Sequence, residues 1–190
     1  MTLTTRASSY LGAISATCVL LAACMPADGA PVPPPPDSQS AVSATPPETA
    51  QEREERLAYE AAEKAYRTFR AEYDRLYQIP SSPSKPPKAI TQNAAGPYLK
   101  VMMGFLTYSA ERNRRADRAM RIAYVRPGGY SLEELVLETC EDGSRIRVLN
   151  PQGKQVGHGG TSALKLIVRR VDGRWKVWDG DQTVVARCAE

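Results

Sequence analysis

Val171-Asp172-Gly173-Arg174-Trp175-Lys176-Val177, with Thr139-Cys140-Glu141-Asp142-Gly143-Ser144 ahead of it, decides the fold class. An Asp-Gly pair between runs of β-branched and apolar residues is a strong short-range sign of a hairpin, because both turn residues can take positive φ. Two hairpins are expected, 132–141 with 144–149 and 164–171 with 174–178. Two-residue loops set the register. In the first hairpin Leu137 should face Val148 and Thr139 face Ile146, with Glu138 opposite Arg147 as a cross-strand ion pair on the other side. In the second, Val168 should face Val177, Arg170 face Trp175, and Ile167 face Trp178. Strands near 120–125 and 183–188 would complete an antiparallel sheet.

Upstream of the strands the period changes from two to between three and four. Ala58, Ala62, Tyr66, Phe69, Tyr73 and Leu76 or Tyr77 form one apolar face that must pack on something. The helix should begin at Thr45 as N-cap, with Pro46 at its first position and Glu48 reaching back to the cap. Its first turns are polar on all sides, and Glu52/Arg56, Glu60/Lys64 and Glu63/Arg67 are spaced as i, i+4 pairs. It should stop before the Pro-rich breaker 80–87. A second helix opens at Gly96-Pro97 with Tyr98, Met102, Phe105 and Ser109 as its buried stripe, and Arg112, Arg114 and Arg115 near its end complement the helix dipole. Helices followed by antiparallel strands describe an α+β domain, with the helices on one face of a curved sheet.

The remaining chain is of another kind. Of 190 residues, 15 are Pro and only 4 are Phe or Trp, so part of the chain carries no core; the length also excludes a large multidomain enzyme. Arg6 followed by the uncharged stretch 11–23 reads as an export signal, too short and too rich in Ser, Thr and Gly for a good membrane span. Leu21-Ala22-Ala23-Cys24 resembles the lipobox of bacterial lipoproteins. That resemblance implies that Cys24 becomes the lipidated first residue of the mature chain, on the outer face of the cytoplasmic membrane. Ordinary secretion with cleavage nearby, or an uncleaved anchor, is the alternative. The expected organisation is a signal peptide over 1–23, lipidated Cys24 and a Pro-rich linker over 24–44, a polar helical stalk over 45–56 and a globular domain over 57–190. As polyproline II the linker would reach roughly 60 Å. With Cys18 in the signal and Cys24 lipidated, Cys140 and Cys188 remain as an even pair, read as a disulfide in an exported chain and otherwise as two buried thiols.

The helix–strand order resembles the cystatin-like cone of the nuclear-transport-factor-two-like superfamily. More narrowly, Ala95-Gly96-Pro97-Tyr98-Leu99, the segments 139–144, 150–154 and 171–177, and a terminal Cys188 resemble small actinobacterial lipoproteins of that fold, a group without established activity. Tyr66, Phe69, Tyr73, Tyr98, Met102 and Phe105 are the candidates to line such a cone, with Tyr108 a further helical tyrosine that could do so; the alternative is that the tyrosine rings fill the core with their hydroxyls at its rim. Isomerases and cyclases of the superfamily use an Asp base with Tyr or Asp donors, but no carboxylate can be placed inside this cone from the sequence. Asp117 precedes the strands, and Glu138 has Arg147 as a surface partner.

No catalytic residue, metal ligand or cofactor is assigned. His158 is the one histidine, in Gly157-His158-Gly159-Gly160, which reads as a flexible loop that would position a general base poorly. Cys-x-x-Cys, nucleophile-elbow and phosphate-loop patterns are absent from the sequence. Removing Arg6 from the formal net charge of +4 leaves about +3, and an exported domain has little access to nucleic acid. The expectation is a lipid-anchored, non-catalytic module that binds a protein partner or a small hydrophobic ligand. An isomerase- or cyclase-like enzyme, or a component of a secretion or conjugation apparatus, is the alternative.

Overall fold

A computed structural model describes residues 47–79 and 85–189. The expected signal peptide, Cys24, the Pro-rich linker and the Thr45-Pro46 cap lie outside these residues. Helix α1 (Ala50–Gln78) is capped four residues later than expected: the Thr49 hydroxyl accepts from the Glu52 amide, and the Glu52 carboxylate accepts from the Thr49 amide. This capping box takes Glu52 away from Arg56, which bonds Glu48 and Glu60 instead. Of the expected i, i+4 pairs, Glu63/Arg67 forms, at 2.7 Å. The helix ends at Ile79, ahead of Pro80.

After a short α2 (Lys88–Thr91), the segment 93–95 lies against a strand edge: Val177 donates to the Asn93 carbonyl and Ala95 to the Val177 carbonyl, both at 2.9 Å. Helix α3 (Gly96–Glu111) starts from that point. Gly96 is required there twice over, since its φ is +58° and a Cβ would stand 2.8 Å from the Trp178 indole.

Seven strands follow: β1 (Arg115–Ala116), β2 (Arg121–Tyr130), β3 (Glu134–Asp142), β4 (Arg147–Leu149), β5 (Gln155–His158), β6 (Thr161–Val171) and β7 (Arg174–Val184). They form two antiparallel sheets, β2-β3-β6-β7 and the smaller β1-β4-β5. Helices α1 and α3 pack on one face of the larger, curved sheet, as expected for an α+β chain. Bulges in the β2/β3 and β6/β7 ladders bend its strands. Between the layers lie Tyr66, Phe69 and Ile90 from the helices and Leu135, Leu137, Leu166, Val168 and Val177 from the sheet, all buried. No helix of the described residues is long and apolar enough to cross a membrane.

The second hairpin forms as read. Asp172 (φ 51°) and Gly173 (φ 73°) make its turn, with Arg170 opposite Trp175 and Val168 opposite Val177. Beyond Val168 a bulge shifts the register, so Ile167 meets Asp179 rather than Trp178.

The first hairpin does not form. Strand β3 pairs with β2 on one edge and β6 on the other, while β4 belongs to the small sheet. Asp142 accepts from the Ser144 amide (3.0 Å) and hydroxyl (2.6 Å), an Asx turn that leads the chain out of the sheet. Gly143 donates to the Gly160 carbonyl at 2.9 Å, and a Cβ on it would stand 2.8 Å from that oxygen. The glycine serves close backbone approach, not a positive φ. Glu138 therefore pairs with Arg126, at 3.0 Å, and not with Arg147. Residues 183–184 are the end of β7, so the separate strand expected over 183–188 is absent, and Cys188 lies beyond the sheet.

Candidate functional site

Between α1, α3 and the two sheets is a cavity of about 410 Å³. Tyr73, Met102, Phe105, Ile146, Leu164 and Leu166 contribute apolar surface. Arg70, Asp74, Tyr98 and Glu141 contribute polar groups, and His158, Arg118, Asp179, Asp181 and Gln182 also line it. His158 is no loop residue: it belongs to β5, opposite Arg147, because Gly159 and Gly160 bond to Ile146 and Gly143 and hold the segment in the small sheet.

The buried polar groups form one cluster. Arg70 Nη2 donates to Asp74 Oδ1 at 2.7 Å, and its Nη1 stands 3.4 Å from Glu141 Oε2. Tyr66 Oη donates to Glu141 Oε1 at 2.6 Å, and the Met120 amide donates to Asp74 Oδ2 at 3.0 Å. All four carboxylate oxygens are thus engaged. Among the described residues, two buried side-chain atoms have no hydrogen-bond partner, Arg70 Nε and Tyr98 Oη. Both residues are nine-tenths buried, Arg70 at 7% and Tyr98 at 8% exposure.

Burial sets the electrostatics. It pushes the hydroxyls of Tyr66, Tyr73 and Tyr98 up, so each remains a neutral donor across the physiological range. Burial also raises Asp74, against the opposing charge of Arg70. For Arg70, burial acts to lower the pKa, but the charges of Glu141 and Asp74 overcome it and the guanidinium stays ionised.

The six residues expected to line a cone separate into two groups. Tyr73, Tyr98, Met102 and Phe105 line the cavity. Tyr66 and Phe69 are fully buried, Phe69 between the rings of Tyr73 and Tyr98. Phe105, expected in a buried stripe, is 45% exposed, because α3 rests on the sheet through Tyr98, Leu106 and Ser109. Tyr108 is turned to the exterior, with the Arg112 guanidinium 3.7 Å from its ring centroid.

The sequence reading missed Arg70, Asp74 and Glu141. The signs were present. Arg70 and Asp74 continue the face of Ala62 and Tyr66 in steps of four, and Glu141 continues the alternation of Leu137 and Thr139 in steps of two. Cys140, beside Glu141, is bonded to Cys188, with Cα atoms 5.8 Å apart, and this ties the segment after β7 to β3.

A second concavity of about 430 Å³ lies between the N-terminal half of α1 and β2. It is more open, rimmed by Glu52, Glu55, Glu60 and Glu63, and has no buried polar cluster. No three His, Cys, Asp or Glu side chains are grouped to hold a metal ion among the described residues.

No family model and no curated protein matches the chain. Among solved structures it is similar to the intermembrane-space region of the chloroplast protein ARC6, at TM-score 0.49 and 12% identity, covering 67% of this chain and 97% of that one. It is also similar to an NTF2-like protein with a cystatin-like fold from Novosphingobium aromaticivorans, at TM-score 0.42 and 11% identity, covering 74% and 93%. A protein of unknown function with a cystatin-like fold from Nostoc punctiforme aligns at TM-score 0.35 and 15% identity, covering 73% and 94%. At this level of identity a likeness concerns fold alone, and one fold hosts many functions.

Proposed function

We propose that this chain is a bacterial lipoprotein, lipidated at Cys24 and displayed on the outer face of the cytoplasmic membrane, whose domain is a non-catalytic binding module for a small hydrophobic ligand. One observation carries the binding reading: the cavity joins apolar walls to a buried polar cluster in which both carboxylates are already engaged. Arg70, Tyr66 and the Met120 amide hold those carboxylates in place as partners within the cluster. A concave, mostly apolar site with a few placed polar groups suits recognition.

The anchor rests on the sequence 21–24 and the Pro-rich segment after it. Its test is fractionation of membranes: wild type should partition with detergent and Cys24→Ala should be released or mislocalised. An unchanged distribution removes the anchor. Ligand occupancy is tested by native mass spectrometry of the protein purified from its host, where a non-covalent small molecule lost on unfolding is the expected result. Protein that is always empty, and stays empty when offered apolar compounds, counts against the module.

An isomerase- or cyclase-like enzyme has one observation in its favour, a buried carboxylate beside a tyrosine hydroxyl, Glu141 and Tyr66. Turnover of a ketone or polyketide substrate that Glu141→Gln abolishes would establish that reading instead.

A further inference from the structure

We propose that the exposed apolar stripe of α3, with the arginines at its C-terminal end, docks on the surface of an anionic lipid bilayer. The inference deepens the reading of the chain as a lipid-anchored module and rests on it.

Helix α3 is apolar on two sides. One side packs on the sheet through Tyr98, Leu106 and Ser109. On the other, Val101, Phe105 and Tyr108 are 69%, 45% and 47% exposed, at spacings of four and three residues that place them in one stripe. Other exposed large apolar side chains among the described residues, such as Leu57, Leu132 and Val156, are scattered over separate parts of the fold. Single exposed residues of this kind are ordinary, whereas a continuous stripe marks an interaction surface. The Tyr77 ring widens the stripe, meeting Phe105 edge-on at 5.3 Å. Val101 and Phe105 also line the cavity, so the stripe forms part of its rim.

Charge selects the occupant. Segment 96–115 has four basic residues, Lys100, Arg112, Arg114 and Arg115, against one acid, Glu111. Arg112 continues the stripe one turn past Tyr108, with its guanidinium 3.7 Å from that ring's centroid, and its ion pair with Glu111 is a long one, 3.9 Å. Arg114 is exposed and near enough to Tyr77 for its charge to act on that hydroxyl. The cavity itself differs, since Asp179 and Asp181 line it as well as Arg118. The positive surplus therefore belongs to the helix and its end. Apolar side chains flanked by cations suit the boundary between anionic headgroups and acyl chains. A domain held through Cys24 on a linker of roughly 60 Å stays close to such a surface, so even a weakly binding face is enough to seat it. Seated there, the rim of the cavity meets lipid.

The test uses the mature full-length chain isolated from bacterial cells. Its intact mass shows whether Cys24 carries lipid, so a failed anchor is told apart from a failed docking face. The chain is combined with vesicles of phosphatidylcholine alone, or with about one third phosphatidylglycerol, in which some acyl chains are brominated. Phe105→Trp and, separately, Tyr108→Trp report contact through quenching by the bromolipid, with wild type as background for Trp175 and Trp178. Quenching above background is expected in the anionic vesicles and should be largely lost when ionic strength rises from about 0.1 M to about 1 M. Adding Arg112→Gln with Arg114→Gln should lower the docked-to-free ratio about thirtyfold, at roughly fivefold per cation. Quenching that neither reporter shows, that is equal in the two kinds of vesicle, or that survives loss of both arginines overturns the proposal. An unquenched reporter whose emission is blue and turns red on dilution into excess lipid places a second copy on the stripe, and overturns it as well.

Discussion

Replacing Arg70 by Met should be among the most damaging single substitutions in the domain, and the damage should depend on pH. The guanidinium is the one cation between Asp74 and Glu141, at 2.7 and 3.4 Å, and all three side chains are at most 8% exposed. Met restores much of the volume but leaves two buried carboxylates without a counter-charge. Removing one partner from a buried ion pair costs about 3–5 kcal/mol, against a total stability of roughly 5–15 kcal/mol for a domain. Burial already raises Asp74 even with Arg70 present, and without Arg70 it should rise further. A folded-state pKa above the unfolded value of about 3.9 means that the group's contribution is intact below about pH 4 and is lost as pH rises through the folded pKa. The loss should therefore be largest at pH 7 and above and should shrink as pH falls toward 4. Urea unfolding of both proteins at several pH values measures this. A loss under about 1 kcal/mol at pH 7, or one that is the same at pH 4 and pH 7, would refute the picture of a buried, charge-balanced cluster.

Opening the Cys140–Cys188 bond by Cys140→Ala with Cys188→Ala should cost about 4 kcal/mol on the chain-entropy model for a 48-residue separation; an unchanged urea midpoint would contradict it. Amide exchange should also quicken over 185–189, which the bond ties to β3. Gly143→Ala places a Cβ 2.8 Å from the Gly160 carbonyl and should cost about 1–3 kcal/mol in thermal unfolding, whereas a hairpin turn at that position would accept Asn. Asp117 is held well below the usual carboxylate range by Arg118 and by the backbone and side chain of Arg147, and Asp142 by Ser144 and Arg121. Depressed carboxylates contribute stability above about pH 4 that is lost as pH falls through their folded values. Asp117→Asn with Asp142→Asn should thus lower stability at pH 7 and flatten the acid limb, followed by tryptophan fluorescence; an unaltered acid limb would exclude this role.

The second hairpin was legible because its information is local: Asp172-Gly173 fixes the turn and the turn fixes the register nearby. The same dipeptide at Asp142-Gly143 misleads. Whether an Asp-Gly closes a hairpin or leads the chain out of a sheet depends on the other edge of the preceding strand. That edge is taken by β6, about twenty residues further on. Pattern rules also treat charge as surface, which hid Arg70, Asp74 and Glu141 although each lies in step with an apolar stripe.

By itself the sequence determined the class of the domain, the apolar face of α1, the turn at Asp172-Gly173 and the pairing of Cys140 with Cys188, because each follows from residues close in the chain or from elimination among four cysteines. The tertiary structure alone decided the cavity. Its polar cluster joins Tyr66, Arg70 and Asp74 of one helix to Glu141 of a strand some seventy residues on. A charge at either position is unfavourable inside a domain until the other arrives, so neither half could be read as buried without the fold that brings them together.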